Sequence, residues 1–428
     1  MKRLLTFGAS ALALLASTAA AQDFAITGAT VATGDGSAPM ENATVVVRGG
    51  KVVAVGRDLA VTMDMPVIDG RGKWVTPGIV ASMTDLGLWD VGAVSGSNDK
   101  SAGSSPFSAA LDVAPAIVPE SQHIAVSRAG GVTRASVTSY PSSTIFGGQG
   151  ALIDLGADPD AVTRPRAFQF VVLGERGGQI AGGSRTAAFV QFRNALTEAR
   201  DLASREGRRD DALLNRPDAA ALIPVVNGTQ KLYVHVERAA HIRSVLALRQ
   251  EFPKLDLVLV GVSEGWLVAD DIAAAGVPVI ADALDDLPES FEQLGSTQSN
   301  VGRMVQAGVT VALGGFAGME QPRNATQYAG NLVALQKVPR ATGLSWGQAF
   351  ASITSVPAKI AGMEGVGVLR PGAVGDVVIW DGDPLEVSSA PMRVFIDGVE
   401  QPLDNHQTRL RDRYRDLDES DLPKAYDW

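Results

Sequence analysis

Between Phe24 and Val75, apolar and polar residues alternate in short runs: FAITGATVATG, ATVVVRGGKVVAVG and MPVIDGRGKWV. A period of two predicts β-strands with one covered face. Gly49 and Gly50, between Arg48 and Lys51, predict a two-residue hairpin, because both can take the positive φ such a turn requires. The same texture returns in GVLRPGAVGDVVIWDGDP and MRVFIDGVEQP. The two ends are therefore expected to build one small β-domain together.

The middle of the chain has a different rhythm. Strand-like apolar runs such as GALIDL, AFQFVVLGE, KLYVHVE, LDLVLVGVSE, VPVIADAL and VTVALGG alternate with helical segments such as AAHIRSVLALRQEF and VGRMVQAG. Repetition at this spacing predicts parallel βα units, and runs as apolar as LDLVLVG and VTVALGG suit strands covered on both faces. On pattern alone, a closed (β/α)8 barrel and an open doubly wound sheet both satisfy it. Residues 89–125 and 176–222 are richer in Gly, Ser and charge and are expected to form long loops or helical excursions on the barrel face. The tail QTRLRDRYRDLDESDLPKAYDW has little apolar periodicity and is expected to be a surface helix or a partly disordered extension.

Composition narrows the function classes. The chain has 428 residues, 46% of them hydrophobic, so it can bury a large core. It opens with MKRLLTFGASALALLASTAAAQD, a basic start, a short apolar run and small residues before Gln22, which is the pattern of a cleavable secretory signal. The apolar run is shorter than the ~20 residues that span a bilayer. Losing Lys2 and Arg3 with that signal takes the formal charge from −10 to −12, a poor match to nucleic acid. With no cysteine, disulfides and thiolate metal sites are excluded. A periplasmic or secreted protein with no membrane span and no nucleic-acid partner is expected.

The stretch VTPGIVASMTDLGL, from Val75, carries more specific information. Together with IFGGQGALIDL, VVLGE, VHVERAAHI, SVPAKIAGMEGVGVLRPGAVGDVVIWDGDP and VFIDG, it resembles the amidohydrolase superfamily, in particular the imidazolonepropionase-related branch. The C-terminal block from Ser355 is the most specific of these segments. The resemblance implies an α/β fold: a (β/α)8 TIM barrel with a small composite β-sandwich built from both chain ends. The expected division is a signal peptide at 1–21, sandwich parts at 22–76 and 365–404, the barrel at 77–364 and a charged tail at 405–428.

In that family the first barrel strand usually ends in two metal-binding histidines one residue apart, and here those positions hold Met83 and Asp85. His235 in VHVER matches a further ligand histidine, Gly261 falls near the next, and Phe316 stands where an aspartate usually binds metal and takes a proton from water. A phenyl ring can do neither. Glu175 corresponds to a glutamate that bridges two metals in some relatives. Asp85, Glu175 and His235 are thus the candidate ligands for one divalent zinc, manganese or iron ion, and Met83, Gly261 and Phe316 are degenerate ligand positions.

Each candidate has a plainer reading. His235 fits a histidine hydrogen-bonded within the barrel mouth, and Asp85 fits a carboxylate paired with Arg176, Arg238 or Lys231. Glu175 and Glu237 fit loop-facing glutamates near strand ends. GGQG, Gly147 to Gly150, fits a tight turn better than an anion cradle, and His123, His241 and His406 have no ligand-like spacing. No nucleophile elbow, phosphate loop or dinucleotide fingerprint is present.

The favoured expectation is an exported amidohydrolase-fold protein that has lost most metal ligands and acts, without a cofactor, as a non-catalytic or regulatory subunit. Its expected partner is a related active amidohydrolase subunit or a second copy. The alternative is an active hydrolase of carbon–nitrogen bonds with a rebuilt mononuclear site, in which His235 and Glu175 are the candidate catalytic groups. A third reading is a binding protein whose barrel mouth, lined by Met83 and Phe316, holds an apolar or peptide ligand.

Overall fold

The computed structural model describes residues 21–62, 64–204, 211–284, 286–315 and 322–415. Phe316 lies outside the described residues, as do residues 1–20 of the expected signal. The N-terminal strands are β1 (Phe24–Val31), β2 (Met40–Arg48), β3 (Lys51–Arg57), β4 (Val67–Asp69) and β5 (Trp74–Pro77). The barrel strands are β6 (Ile79–Thr84), β7 (Val132–Val137), β8 (Phe146–Asp154), β9 (Val162–Val172), β10 (Lys231–Val236), β11 (Leu257–Gly261), β12 (Val279–Ala281) and β13 (Val311–Leu313). After the barrel come β14 (Val377–Trp380), β15 (Pro391–Ile396) and β16 (Val399–Glu400).

The two chain ends do share one sheet, in the order β16-β15-β14-β5-β1-β2-β3, with β4 beside β1. Its own core joins Phe24, Ile26, Val45 and Val47 from one end of the chain to Val377, Ile379 and Phe395 from the other. The hairpin between β2 and β3 turns at Gly49 and Gly50, with φ of 52° and 74°.

The remaining strands form a nearly closed eight-stranded barrel, in the order β13 to β6, whose edges meet where Ser82 bridges Gly314. β8 departs from the parallel pattern. It runs antiparallel to both β7 and β9, while the other seven strands share one direction. The connections on either side of β8 explain this, since residues 138–145 and 155–161 are too short for a crossover, which takes a dozen or more residues. GGQG is accordingly neither a turn nor an anion cradle. It lies within β8, and a Cβ on Gly150 would collide with the Phe168 ring that fills the barrel beside it.

Alternation along the strands sets the two faces. Phe168, Phe170, Val172, Tyr233, Val258, Val260 and Ile280 pack together inside the barrel, with Phe168 and Tyr233 stacked 4.2 Å apart. Val171, Leu232, Val234, Leu257 and Leu259 face outward onto the helices. Met83 breaks this parity: Ile79 and Ala81 face the helices, yet Met83, at a register break and with φ of 57°, joins the interior. A non-glycine residue in that conformation costs about 1–3 kcal/mol, held here by the packing around it.

Candidate functional site

β10 delivers the central pair. Because Tyr233 faces the barrel interior, His235 two residues on faces the same way at the mouth, and Glu237 follows just past the strand end. His235 Nε2 lies 2.8 Å from Glu237 Oε1. The other oxygen, Oε2, accepts the Ser263 backbone N–H at 2.8 Å and the Ser263 hydroxyl at 2.7 Å. Ser263 is held there by the turn after β11, where Gly261 and Val262 take φ of 85° and 54°. Positive φ is unusual for β-branched Val262, and its N–H still bonds Val236 O at 2.9 Å.

The turn also explains Gly261. A Cβ there would land on the Glu237 carboxylate, so the glutamate fills the space a ligand side chain at 261 would need. The electrostatics follow the geometry. Burial works against a charged imidazole, but Glu237, with Glu292 and Asp282 farther off, outweighs it and raises the His235 pKa above its ordinary value. Burial would likewise raise Glu237, yet His235 and the two Ser263 bonds hold it below the usual carboxylate range. The His235 side chain is 28% exposed, but its Nδ1 is enclosed and has no hydrogen-bond partner.

Glu292, on the short turn Phe291–Gln293, closes one side of this pair. Its Oε2 accepts the Glu175 N–H at 2.8 Å and lies 4.0 Å from His241 Nδ1. Burial, reinforced by Glu237 and Glu175, raises its pKa. Glu175 begins the helix Gly174–Ile180, and its Oε2 is enclosed without a partner. Asp85 is buried just past the end of β6. Of its suggested partners, Lys231 starts β10 at the opposite end from the mouth and pairs with Asp256 at 2.8 Å, while Arg238 donates to Phe291 O at 3.0 Å.

His241 and His123 are less isolated than their spacing suggested. His123 stacks on Trp89 and contacts Asp90 O at 3.0 Å, whereas His406 is exposed at the start of the tail helix. Glu292 and Ser263 were missed from sequence: Glu292 sits in no recognisable motif, and Ser263, though just past the LDLVLVG run, reaches Glu237 only through the turn at Gly261 and Val262.

The comparisons with known proteins agree with this architecture. The sequence model of the amidohydrolase family matches residues 191–399. Over this stretch, just under half of its length, the chain is similar to the amidohydrolase superfamily. It is similar to amidohydrolase tasK of Hapsidospora irregularis, 24% identical over 379 residues that cover 79% of this chain and 37% of that protein. The chain thus spans little more than a third of the curated relative it matches. Among solved structures it resembles an amidohydrolase from Thermotoga maritima MSB8, with a TM-score of 0.77 and 23% identity, covering 88% of this chain and 99% of that one. It also resembles the atrazine chlorohydrolase TrzN from Arthrobacter aurescens TC1, complexed with zinc, with a TM-score of 0.51 and 16% identity over 90% of this chain and 98% of that one. These structural likenesses speak for the fold.

A metal of the kind bound by that chlorohydrolase finds a poor donor set here. Among the described residues no three His, Asp or Glu side chains form a group that could hold an ion, and Asp85, Glu175 and His235 therefore do not form one. The one feature that fits is His235, since a ligating histidine commonly rests one nitrogen on a carboxylate and offers the other to the metal. A single imidazole nitrogen does not make a site that normally takes three protein ligands.

Proposed function

We propose that this chain is a non-catalytic, regulatory homologue of the amidohydrolases, of the imidazolonepropionase-related type, exported by its N-terminal segment and acting beside a related active subunit. One observation carries this reading: the Glu237 carboxylate fills the Gly261 position and engages His235 Nε2. What relatives spend on metal binding is here spent on a self-contained pair. With Nε2 taken and Nδ1 enclosed, neither ring nitrogen is presented to a substrate, as acid–base work would require. Among the described residues no helix is long and apolar enough to cross a membrane, which suits an exported domain.

The test is elemental mass spectrometry on the mature protein after incubation with zinc and manganese and desalting. The expected result is metal far below one per chain and no turnover of N-acyl amino acids, dipeptides or lactams. A second reading, a rebuilt mononuclear hydrolase, has the orphaned Nδ1 of His235 in its favour. About one tightly held metal per chain, lost in His235→Ala, would establish that reading and overturn the first.

A further inference from the structure

The C-terminal block that most strongly suggested the family contains Asp376, and the structure gives this residue a task away from the mouth. Asp376 precedes β14 in the sandwich, is almost wholly buried, and takes both Nε and Nη2 of Arg134, from barrel strand β7, at 2.8 and 3.0 Å. Nη2 also reaches Asp397 Oδ2, in the turn between β15 and β16, at 2.8 Å. The remaining Nη1 points to Asp154, the last residue of β8, at 3.7 Å, beyond hydrogen-bond distance. One buried guanidinium thus gathers three carboxylates from both domains, and Asp154 is the one it serves least.

We propose that the Arg134 cluster is a proton-sensitive clamp between barrel and sandwich, with Asp154 as the group that takes up the proton. The charge balance requires an outlet of this kind. Asp154 faces Arg134 from β7, Asp397 from the sandwich turn and Asp158 from its own following loop. Asp158 in turn interacts with Asp160 and with Arg128, which donates to Leu155 O at 2.8 Å. Negative charge outnumbers positive around this seam. Burial, opposed by the Gly156 N–H and by Arg134 and aided by Asp158 and Asp397, pushes the Asp154 carboxyl up to about 6.

The sign follows from linkage. A carboxyl whose folded pKa lies above its unfolded value binds a proton in the folded state that the unfolded state releases, so stability falls as pH rises from about 4 to about 6. In mild acid the seam loses one repelling charge and tightens, and toward neutrality the two domains hold each other less firmly. If the chain is exported, as proposed above, this seam meets the pH of the medium.

The experiment is urea unfolding of the mature full chain from pH 4.5 to 8, compared with Asp154→Asn, which keeps an acceptor for the Gly156 N–H. The wild-type midpoint is expected to fall as pH rises through this window. The variant should lie above wild type at pH 7.5 and lose the part of the slope between about pH 4.5 and 6.5, and the protection factors of β14 and β15 amides, corrected for intrinsic exchange, should be lower at pH 7.5 than at pH 5 in wild type and change less in the variant. A variant that keeps the wild-type slope would overturn the proposal. Should Asp154→Asn not fold, Asp397→Asn removes one of the repelling charges. It is then expected to shift the transition to lower pH, and an unmoved transition would refute the clamp equally.

Discussion

The barrel mouth and the seam between the domains both bury charge, but they finish the task differently. At the seam, Arg134 makes short bonds to Asp376 and Asp397, and the surplus carboxylate has a titratable way out. At the mouth, the His235–Glu237 pair is complete on one side only: among the described residues, His235 Nδ1, Glu175 Oε2 and His241 Nδ1 are enclosed without a hydrogen-bond partner, and Met83 and Val262 are held at positive φ. Positive φ occurs at the seam too, at Asp397, but an aspartate tolerates it better than Met83 or β-branched Val262. The seam closes its charge with short bonds; the mouth leaves polar atoms unpaired.

That contrast is broken most forcefully at Arg134. Arg134→Met leaves buried Asp376 and its neighbours without their cation, and removing one partner of a buried ion pair costs about 3–5 kcal/mol. Urea unfolding at pH 7 should show a loss of that size. A loss under about 1 kcal/mol would mean the seam holds by packing alone, for instance through the Trp380 ring, which lies against Gly131, just before β7.

Next is Gly261→His, which places an imidazole beside the His235–Glu237 pair. The new side chain must displace the Glu237 carboxylate and sit at a φ that suits glycine, together roughly 3 kcal/mol. Metal uptake should not appear, because the remaining donors still do not converge. In the double variant with Glu237→Ala the clash term disappears, so the two losses should add to less than their sum. Strict additivity would show that the two side chains do not compete for one space.

How much of this was legible in the sequence differs between the same two regions. Periodicity alone placed LDLVLVG in a fully covered strand, and the glycine pair placed the first hairpin. The shared sheet of the chain ends was legible too, because the two segments have the same texture. The reversal of β8 was also within reach, since the short connectors at 138–145 and 155–161 rule out a crossover, but apolar content says nothing of strand direction. At the mouth, the resemblance drew attention to His235, Met83 and Gly261. It did not single out Glu237 as the group that fills the glycine's space, because that depends on the turn at Gly261 and Val262, which no strand pattern encodes.

Glu237→Gln probes the pair with little change of shape. Glu237 stabilises the fold above the ordinary glutamate pKa, and that contribution is lost as pH falls through its lowered folded value. His235 does so below its ordinary pKa, and its contribution is lost as pH rises through its raised folded value. Between these limits the variant should be about 2 kcal/mol less stable, and both limbs of the pH–stability curve should flatten. NMR titration of His235 should show its pKa falling, because burial is then opposed only by Glu292 and Asp282. An unchanged His235 pKa would place the charge of the mouth on Glu292 and Asp282 instead.

The smallest effect is expected at Ser263→Ala. The hydroxyl bond to Glu237 Oε2 disappears, while the backbone N–H to the same oxygen remains, so the carboxylate stays anchored and the loss is about 1 kcal/mol. Its direction with pH is more telling than its size. With one donor fewer, the Glu237 pKa should rise, so the acid limb of the stability curve moves to higher pH while the alkaline limb, set by His235, stays within reach of wild type. If both limbs moved together, Ser263 would be acting on His235 as well, and the mouth would behave as one coupled network, unlike the seam, where the proposal assigns the proton to Asp154.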